Sequence, residues 1–235
     1  MHKNIDQIKK LESSPKVIKK LFSKKEIEKF MSLYKELPVT VHNKKQNVIK
    51  KRWLENYNKE LETLFYNRVK NEIGEFKMDN LKDENDKDIL GLFQESYNPI
   101  GLHVDAGFNL DEIIYKQTLI PLTSKGSTVI FKNKFYGNST NFTIDESELK
   151  IKSLNYGQNL RSSEHLKMYK NKIFKKEDHE KYLKHEKIEN LSGLEIDLVY
   201  EWEIGSILIF DRTRLHCSSS KIEGKKIGLT TFTKK

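Results

Sequence analysis

Two segments in the first third of the chain carry hydrophobic residues at helical spacing. In the first, Ser23 is followed three residues later by Glu26, the pattern of a capping box, and apolar residues then recur every three or four positions until Pro38. The second runs from about Trp53 to Phe76, and its apolar stripe comprises Leu54, Tyr57, Leu61, Leu64, Phe65 and Val69. The pattern predicts two amphipathic helices, and we expect both to pack against a sheet.

From Ile89 onward the apolar residues occur in short runs bounded by Gly, Pro and Asn, which is typical of strands. The predicted strands are Ile89 to Tyr97, Tyr115 to Leu122, Ser127 to Lys132, Leu194 to Trp202, Ser206 to Phe210 and Lys226 to Thr233. Helices followed by many short strands indicate an α+β protein whose sheets form a sandwich or barrel.

The strand pattern lapses between Asn133 and Gly193, where Glu164 to Lys187 has the composition of a lysine-rich helix with few apolar anchors. We therefore expect one domain with an insertion. Residues 1–88 would form mainly helical support, 89–132 and 194–235 the barrel core, and 133–193 a helical insertion that covers one mouth of the barrel and serves substrate recognition.

Composition limits the possible chemistry. The one cysteine, Cys217, excludes a disulfide framework and any metal site built on several thiolates, so a metal ion would need His and carboxylate ligands. We expect this cysteine to pack as a small apolar side chain. No stretch approaches the roughly 20 apolar residues of a membrane span, and we expect a cytoplasmic protein.

The formal net charge of +9 raises the question of nucleic-acid binding. Only five of the 43 basic residues are arginines, and the lysines are spread along the chain with acidic residues between them. Because phosphate recognition favours clustered cations and the arginine fork, this pattern argues against a dedicated nucleic-acid binder.

A candidate metal site begins at His103 and Asp105. In an extended segment, residues two apart point to the same face, so an imidazole and a carboxylate can share one cation. His216 follows the apolar strand that ends at Phe210 and is a third candidate ligand. Two histidines and one carboxylate leave coordination positions open, as in non-haem Fe(II) oxygenases. The alternative is a surface loop with a solvated Asp105.

Lys226 opens a segment that alternates between two faces. Period two places it with Gly228, Thr230 and Phe232, where core is expected. A buried ammonium without a partner would be costly, so this position indicates an anionic ligand. The alternative is an exposed lysine on an edge strand.

Five motifs follow one another in an order seen in a known enzyme family. They are Tyr97-Asn-Pro-Ile-Gly-Leu-His103, the His103-Val-Asp105 pair, Gly126-Ser-Thr-Val-Ile-Phe131, the strand Glu203 to Phe210 before His216, and Lys226 ten residues beyond His216. With these motifs the chain resembles the Fe(II)/2-oxoglutarate-dependent dioxygenases. The resemblance runs from Ile89 to the end of the chain and excludes the insertion. The prolyl-hydroxylase-like branch is the most similar, followed by the phytanoyl-CoA dioxygenase-like branch.

The resemblance implies a double-stranded β-helix (jelly-roll) barrel with the N-terminal helices on one sheet. It implies that His103, Asp105 and His216 hold Fe(II), that Lys226 binds the distal carboxylate of 2-oxoglutarate, and that Tyr97 hydrogen-bonds this co-substrate. Dioxygen would be the second co-substrate, and hydroxylation of a substrate would release succinate and CO2. The charges of Fe(II), Asp105, 2-oxoglutarate and Lys226 sum to zero, as a buried site requires.

Two features depart from the family pattern. The gap from Asp105 to His216 is longer than in compact members, and Gly228 stands where many members have Ser or Thr. For the substrate, a small molecule or a peptide, Arg212 and Arg214 could clamp an anionic group, with structural ion pairs as the alternative. Asn109 lies in an expected loop at the barrel mouth.

A second function class stays open on the sequence alone. The chain could be a noncatalytic jelly-roll binding protein that uses its basic surface to hold an acidic partner or nucleic acid.

Overall fold

The computed structural model describes residues 1–44, 47–79, 81–82, 87–144, 157–160 and 172–235. Its helices are α1 (Ile5–Lys10), α2 (Lys24–Glu36), α3 (Lys59–Ile73) and α4 (Lys176–Tyr182), with a 3-10 helix at Ile188–Leu191. None of the helices in these ranges is long and apolar enough to cross a membrane.

The first predicted helix is confirmed, and the second begins later than predicted. The Ser23 hydroxyl accepts a hydrogen bond from the Glu26 N–H, and the Ser23 N–H donates to the Glu26 carboxylate, which completes a capping box for α2. For α3, the Asn58 side chain accepts from the Leu61 N–H and fixes the helix start. Trp53 lies instead in a strand, where its side chain is fully buried in the core. A buried apolar residue fits a strand as well as a helix, so its hydrophobic character did not distinguish the two.

The strands, in chain order, are β1 (Lys16–Ile18), β2 (Val41–Asn43), β3 (Val48–Leu54), β4 (Lys77–Met78), β5 (Leu81–Lys82), β6 (Asp88–Ser96), β7 (His103–Val104), β8 (Ile114–Pro121), β9 (Ser127–Lys134), β10 (Thr140–Thr143), β11 (Gly157–Leu160), β12 (Ile196–Glu201), β13 (Ile207–Asp211), β14 (Arg214–Ser218) and β15 (Lys226–Lys234). All six strands predicted from the sequence are present, and no end differs from the prediction by more than two residues.

The strands form two sheets. In the described ranges, the larger has the order β1-β13-β8-β15-β6-β3-β2, with β4 paired to β15 and β5 to β6. The smaller has the order β11-β10-β7-β14-β9-β12, and only its β10–β11 pair is parallel. Leu119 and Phe210 of the larger sheet share a core cluster with Ile130 and Tyr200 of the smaller one. The sheets therefore pack face to face, as expected for this α+β protein.

Helices α2 and α3 cover the outer face of the larger sheet. Phe30 of α2 and Phe65 of α3 both pack edge-on against Trp53, and Phe93 of β6 joins the same cluster. This cluster lies on one face of the larger sheet, and the other face meets the smaller sheet. The expectation that the predicted helices pack on a sheet is confirmed.

The segment 133–193 differs from expectation in two ways. It contains β10, which pairs with β7 through the register Asn141↔His103, so the strand pattern does not lapse there. Its described residues after position 171 pack on the outer face of the smaller sheet, where Phe174, Leu183 and Leu191 join a buried cluster. The first part of the helix predicted from Glu164 to Lys187 lies outside the described residues, and of residues 172–187 only α4 is α-helical. The recognition role of this segment stays a prediction.

Candidate metal centre and co-substrate pocket

Two neighbouring strands bring His103 and His216 together. β7 and β14 pair with His216 directly opposite His103, and the centroids of the two rings are 4.1 Å apart. Their apolar neighbours Val104, Leu215 and Cys217 are buried on the outer face of the sheet, so alternation turns both imidazoles inward.

Asp105 completes a three-residue cluster. Its Oδ2 lies 3.3 Å from Nε2 of His216 and 3.6 Å from Nε2 of His103, and the potential ligand atoms all lie within 4.8 Å of one another. The side chains of Asp105 and His103 are 25% and 19% exposed, whereas that of His216 is 5% exposed. The cluster is therefore open to a ligand from one side.

The hydrogen bonds of both histidines prepare them for a metal ion. Nδ1 of His103 contacts the carbonyl of Gly101 at 2.7 Å, and Nδ1 of His216 contacts the carbonyl of Arg214 at 3.0 Å. Because a carbonyl oxygen only accepts, each Nδ1 carries the proton, and the neutral ring offers the Nε2 lone pair to the cluster. The donor set fits a divalent cation such as Fe(II).

The charges in the cluster compensate one another. Burial opposes ionisation of Asp105, but the imidazoles of His103 and His216 hold its pKa well below the usual range. Burial also lowers the pKa of His103, yet the nearby Asp105 carboxylate outweighs it and leaves that pKa raised. Burial, and then the charge of His103, lowers the pKa of His216. The cluster thus contains one fixed carboxylate whose charge a cation can neutralise.

Two side chains hold Asp105 in place. Gln117 of β8 donates a hydrogen bond to its Oδ2 at 2.9 Å, and Nε of Arg212 donates to its backbone carbonyl at 3.0 Å. The next glycine, Gly107, has a φ of +81°, and a Cβ there would lie 2.8 Å from the Arg212 guanidinium. A glycine is therefore required to let the arginine reach the backbone of the loop.

Lys226 is buried, and the alternative of an exposed edge-strand lysine is wrong. Its strand β15 lies between β8 and β6, and the side chain is 4% exposed. Nζ donates to Oγ of Ser218 at 2.7 Å and lies 4.5 Å from the ring centroid of Trp202. Burial lowers its pKa to about 8. No carboxylate of the described residues forms an ion pair with Lys226.

The pocket of Lys226 is shaped by two glycines. A Cβ on Gly126 would lie 2.6 Å from Cδ of Lys226, so the glycine leaves room for the lysine stem. A Cβ on Gly228 would lie 2.8 Å from Cη2 of Trp202. Where many members of the family have Ser or Thr, this chain has Gly228 for a steric reason, since the Trp202 ring occupies the space that a larger side chain would need.

Tyr97 does not face this pocket. Its hydroxyl donates a hydrogen bond to Oε1 of Glu95 at 2.6 Å, and Oε2 of Glu95 accepts a hydrogen bond from the hydroxyl of Tyr34 on α2. Because Glu95 lies opposite Ile227 on the helix side of the larger sheet, the Tyr97 hydroxyl is held on the side away from Lys226. This position of the hydroxyl contradicts the expected contact of Tyr97 with the co-substrate.

The two arginines expected at the substrate are tied to the protein. Arg212 is 1% exposed and forms an ion pair with Asp79 at 2.5 Å. Arg214 forms one with Asp197 at 2.5 Å. These contacts match the alternative of structural ion pairs, and we do not retain either arginine as a substrate ligand. Asn109 is exposed and caps a local turn by accepting from the Asp111 N–H.

Sequence patterns did not single out Gln117. It stands between Lys116 and Thr118 in β8, so no spacing signal distinguishes it from its polar neighbours.

Solved oxygenase structures share this fold. HygX from Streptomyces hygroscopicus, described with nickel, 2-oxoglutarate and hygromycin B bound, matches with a TM-score of 0.52 and 13% identity over 100% of this chain and 87% of its own. A 2OG-Fe(II) oxygenase family oxidoreductase from Burkholderia pseudomallei matches with a TM-score of 0.51 and 12% identity over 98% and 89%.

A third match extends the range of reactions found on this fold. The epimerase SnoN, described with Fe3+, alpha ketoglutarate and nogalamycin RO, matches with a TM-score of 0.54 and 7% identity over 98% of this chain and 84% of its own. No family model matches the sequence, and no curated protein matches it. This chain has the fold of the 2OG-Fe(II) oxygenases.

Proposed function

We propose that the protein is an Fe(II)- and 2-oxoglutarate-dependent dioxygenase of the jelly-roll class, which hydroxylates its substrate. The observation that carries the proposal is the convergence of three metal-ligand atoms with a buried cation in one fold. His103, Asp105 and His216 supply the ligands, and Lys226 supplies the cation. The oxygenase fold of the structural neighbours supports the same conclusion.

The chain's own residues bind and orient the reactants. Nε2 of His103, Nε2 of His216 and a carboxylate oxygen of Asp105 would hold Fe(II), while each Nδ1–H donates to a backbone carbonyl. Lys226 would bind the distal carboxylate of 2-oxoglutarate, with Ser218 fixing its ammonium. The bound iron supplies oxidation by dioxygen, which converts a substrate C–H to C–OH while 2-oxoglutarate becomes succinate and CO2.

Water exclusion is a further task of the pocket. Trp202 is 7% exposed and lies over the ammonium of Lys226, so a carboxylate bound there is shielded from solvent. In a low-dielectric pocket this ion pair is stronger than it would be in water, and it orients the co-substrate along a single direction.

Turnover of the co-substrate tests the proposal. Protein reconstituted anaerobically with Fe(II) and 2-oxoglutarate should form succinate when oxygen is admitted. His103→Ala, Asp105→Ala and His216→Ala should each abolish succinate formation, whereas His42→Ala, at an exposed histidine on β2, should not. If all three triad variants keep the activity, the ligand assignment is wrong. If the wild-type protein binds neither Fe(II) nor 2-oxoglutarate, the noncatalytic alternative is favoured.

A further inference from the structure

The hydroxyl of Ser96, the last residue of β6, is buried and unpaired. Ser96 is 1% exposed, and its Oγ meets neither a donor nor an acceptor in the part of the chain that the structure describes. Because water satisfies such a group in the unfolded chain, burying it without a partner is unfavourable. A bound group that accepts a hydrogen bond at this point would remove the penalty.

The strand register directs this hydroxyl to the pocket of Lys226. The preceding residue, Glu95, faces the helices, since its carboxylate accepts from Tyr34 of α2. A strand alternates faces, so Ser96 faces the smaller sheet. Ser96 lies directly opposite Lys226 of β15. Residues opposite each other in an antiparallel pair point to the same side with Cβ atoms about 5 Å apart, so Ser96 borders the pocket into which Lys226 projects.

The strand of Lys226 offers no second donor to this pocket. The next residue of β15 on the same face is Gly228, which has no side chain. The Trp202 ring occupies the space above it, since a Cβ there would lie 2.8 Å from Cη2 of Trp202. A further hydrogen bond to a ligand at Lys226 must therefore come from other strands, and β6 places Ser96 at the level of Lys226.

The smaller sheet contributes two hydroxyls that can donate as well. Ser218 of β14 lies opposite Thr128 of β9, so both face the same side. Oγ of Ser218 accepts from Nζ of Lys226 at 2.7 Å, and Oγ1 of Thr128 accepts from Nε1 of Trp202 at 2.9 Å. Each of these oxygens keeps its own proton to donate. The pocket thus presents an ammonium and several O–H groups, which is a donor set suited to a carboxylate.

We propose that the Ser96 hydroxyl donates a hydrogen bond to the distal carboxylate of 2-oxoglutarate, which is held between Lys226 and Ser96. One carboxylate oxygen accepts from the ammonium and the other from the hydroxyl, and the buried Oγ gains the partner that the described protein groups do not provide. This inference rests on the proposed function and adds a residue that selects the co-substrate by its distal carboxylate.

Calorimetric titration with two acids tests the inference. 2-Oxoglutarate and 2-oxopentanoate have the same chain length, but the second ends in a methyl group in place of the distal carboxylate. Each is added anaerobically to Fe(II)-loaded protein. Loss of one hydrogen bond to a charged group corresponds to roughly 10- to 150-fold in affinity. Ser96→Ala should therefore weaken 2-oxoglutarate about tenfold or more and leave 2-oxopentanoate unchanged. Ser32→Ala, on the exposed side of α2, should change neither affinity.

Thermal denaturation without either acid gives an independent readout. Since the Ser96 hydroxyl lacks a partner in the described protein, Ser96→Ala should melt at the wild-type temperature or above it. Ser206→Ala provides the contrast, because the buried Ser206 hydroxyl bonds to the Tyr200 hydroxyl and the Glu203 carbonyl. That variant should melt at a lower temperature. Weaker 2-oxoglutarate binding with undiminished stability is a combination that a purely structural hydroxyl does not produce.

The result separates this inference from the proposed function. If wild-type protein forms succinate but Ser96→Ala keeps its affinity for 2-oxoglutarate, the inference falls and the function stands. Equal losses for both acids, with a melting temperature lowered as in Ser206→Ala, show a structural role and also overturn the inference. If no succinate forms although the preference for 2-oxoglutarate depends on Ser96, the function falls and the carboxylate site stands.

A second variant decides the matter should Ser96→Ala fail to fold. Ser96→Cys is nearly the same size and replaces the hydroxyl with a weak donor. It should lose most of the preference for 2-oxoglutarate over 2-oxopentanoate, and an unchanged preference overturns the inference.

Discussion

Oε1 of Glu186 accepts a hydrogen bond from the backbone N–H of Leu102 at 2.6 Å, although the two residues are 84 positions apart. Leu102 immediately precedes His103, whose Nδ1 is held by the carbonyl of Gly101. Oε2 of the same carboxylate accepts from Asn190 at 2.9 Å. A residue of the segment expected only to recognise substrate thus positions the backbone that presents the first candidate metal ligand.

This contact predicts a metal-binding effect for a residue that does not touch the metal. Glu186→Ala should weaken Fe(II) binding by about 10-fold or more, because groups that orient metal ligands contribute at that level. Glu186→Gln should restore much of the affinity, since its amide oxygen still accepts from the Leu102 N–H. Equilibrium metal titration measures both, with the exposed Glu189→Ala as control. A lower melting temperature with unchanged metal affinity would show a purely structural role.

The same contact changes what can be removed from the chain. The sequence alone suggests that a short linker could replace residues 138 to 191 without loss of chemistry at the metal. That replacement would remove β10, which pairs with β7 at His103, as well as Glu186. We now expect the replacement to abolish succinate formation. A linker variant that keeps full 2-oxoglutarate turnover would contradict this expectation.

The lowered pKa of Lys226 predicts a pH dependence of co-substrate binding. The ammonium form binds the carboxylate, and this form is lost as the pH rises through about 8. The dissociation constant of 2-oxoglutarate should therefore be flat below this pH and rise about tenfold per pH unit above it. Lys226→Met should bind 2-oxoglutarate roughly 10- to 150-fold more weakly, without this step in the profile.

Titrations of the Fe(II)-loaded protein under anaerobic conditions, from about pH 7 to about pH 9.5, resolve the step because it falls within this interval. Lys225→Met provides a matched control, since the neighbouring Lys225 side chain is half exposed and directed to Glu95 on the opposite side of the sheet. An equal loss of 2-oxoglutarate affinity in Lys225→Met and Lys226→Met would show that Lys226 is not the residue that binds the carboxylate.

The parts of the site that the sequence predicted are those encoded by local alternation. His103 and Asp105 share a face because they are two residues apart, and the buried character of Lys226 follows from its place in an alternating strand. The capping box of α2 is likewise a local signal. Such features depend on a few consecutive residues, so a single sequence suffices to find them.

The missed parts depend on contacts between distant segments. Trp53 has the same apolar character in a helix as in β3, and only pairing with β6 decides between them. Arg212 precedes the candidate metal ligand His216 closely in sequence, but its guanidinium is held in an ion pair with Asp79. Alternation within one strand cannot report which partner lies across the fold.

The steric role of Gly228 predicts the effect of restoring the more usual residue. Gly228→Ser introduces a Cβ 2.8 Å from the Trp202 ring and 3.0 Å from Leu119, and overpacking of this kind costs about 1–3 kcal/mol of stability. Displacement of the ring should also weaken 2-oxoglutarate binding at Lys226. Adding Trp202→Leu should relieve the clash and recover part of the stability. Melting temperatures and co-substrate titrations check both effects, and tighter binding by Gly228→Ser alone would contradict them.

The ion pair of Arg212 and Asp79 predicts a coupled loss of stability. Asp79 is 9% exposed, so Arg212→Met leaves its charge buried without this partner and should cost about 3–5 kcal/mol in free energy of unfolding. Asp79→Asn in the same protein should recover part of this loss, because the uncompensated charge is gone; urea denaturation of the four proteins in the cycle measures the coupling. The guanidinium also donates to the Asp105 carbonyl, so Fe(II) affinity should fall as well.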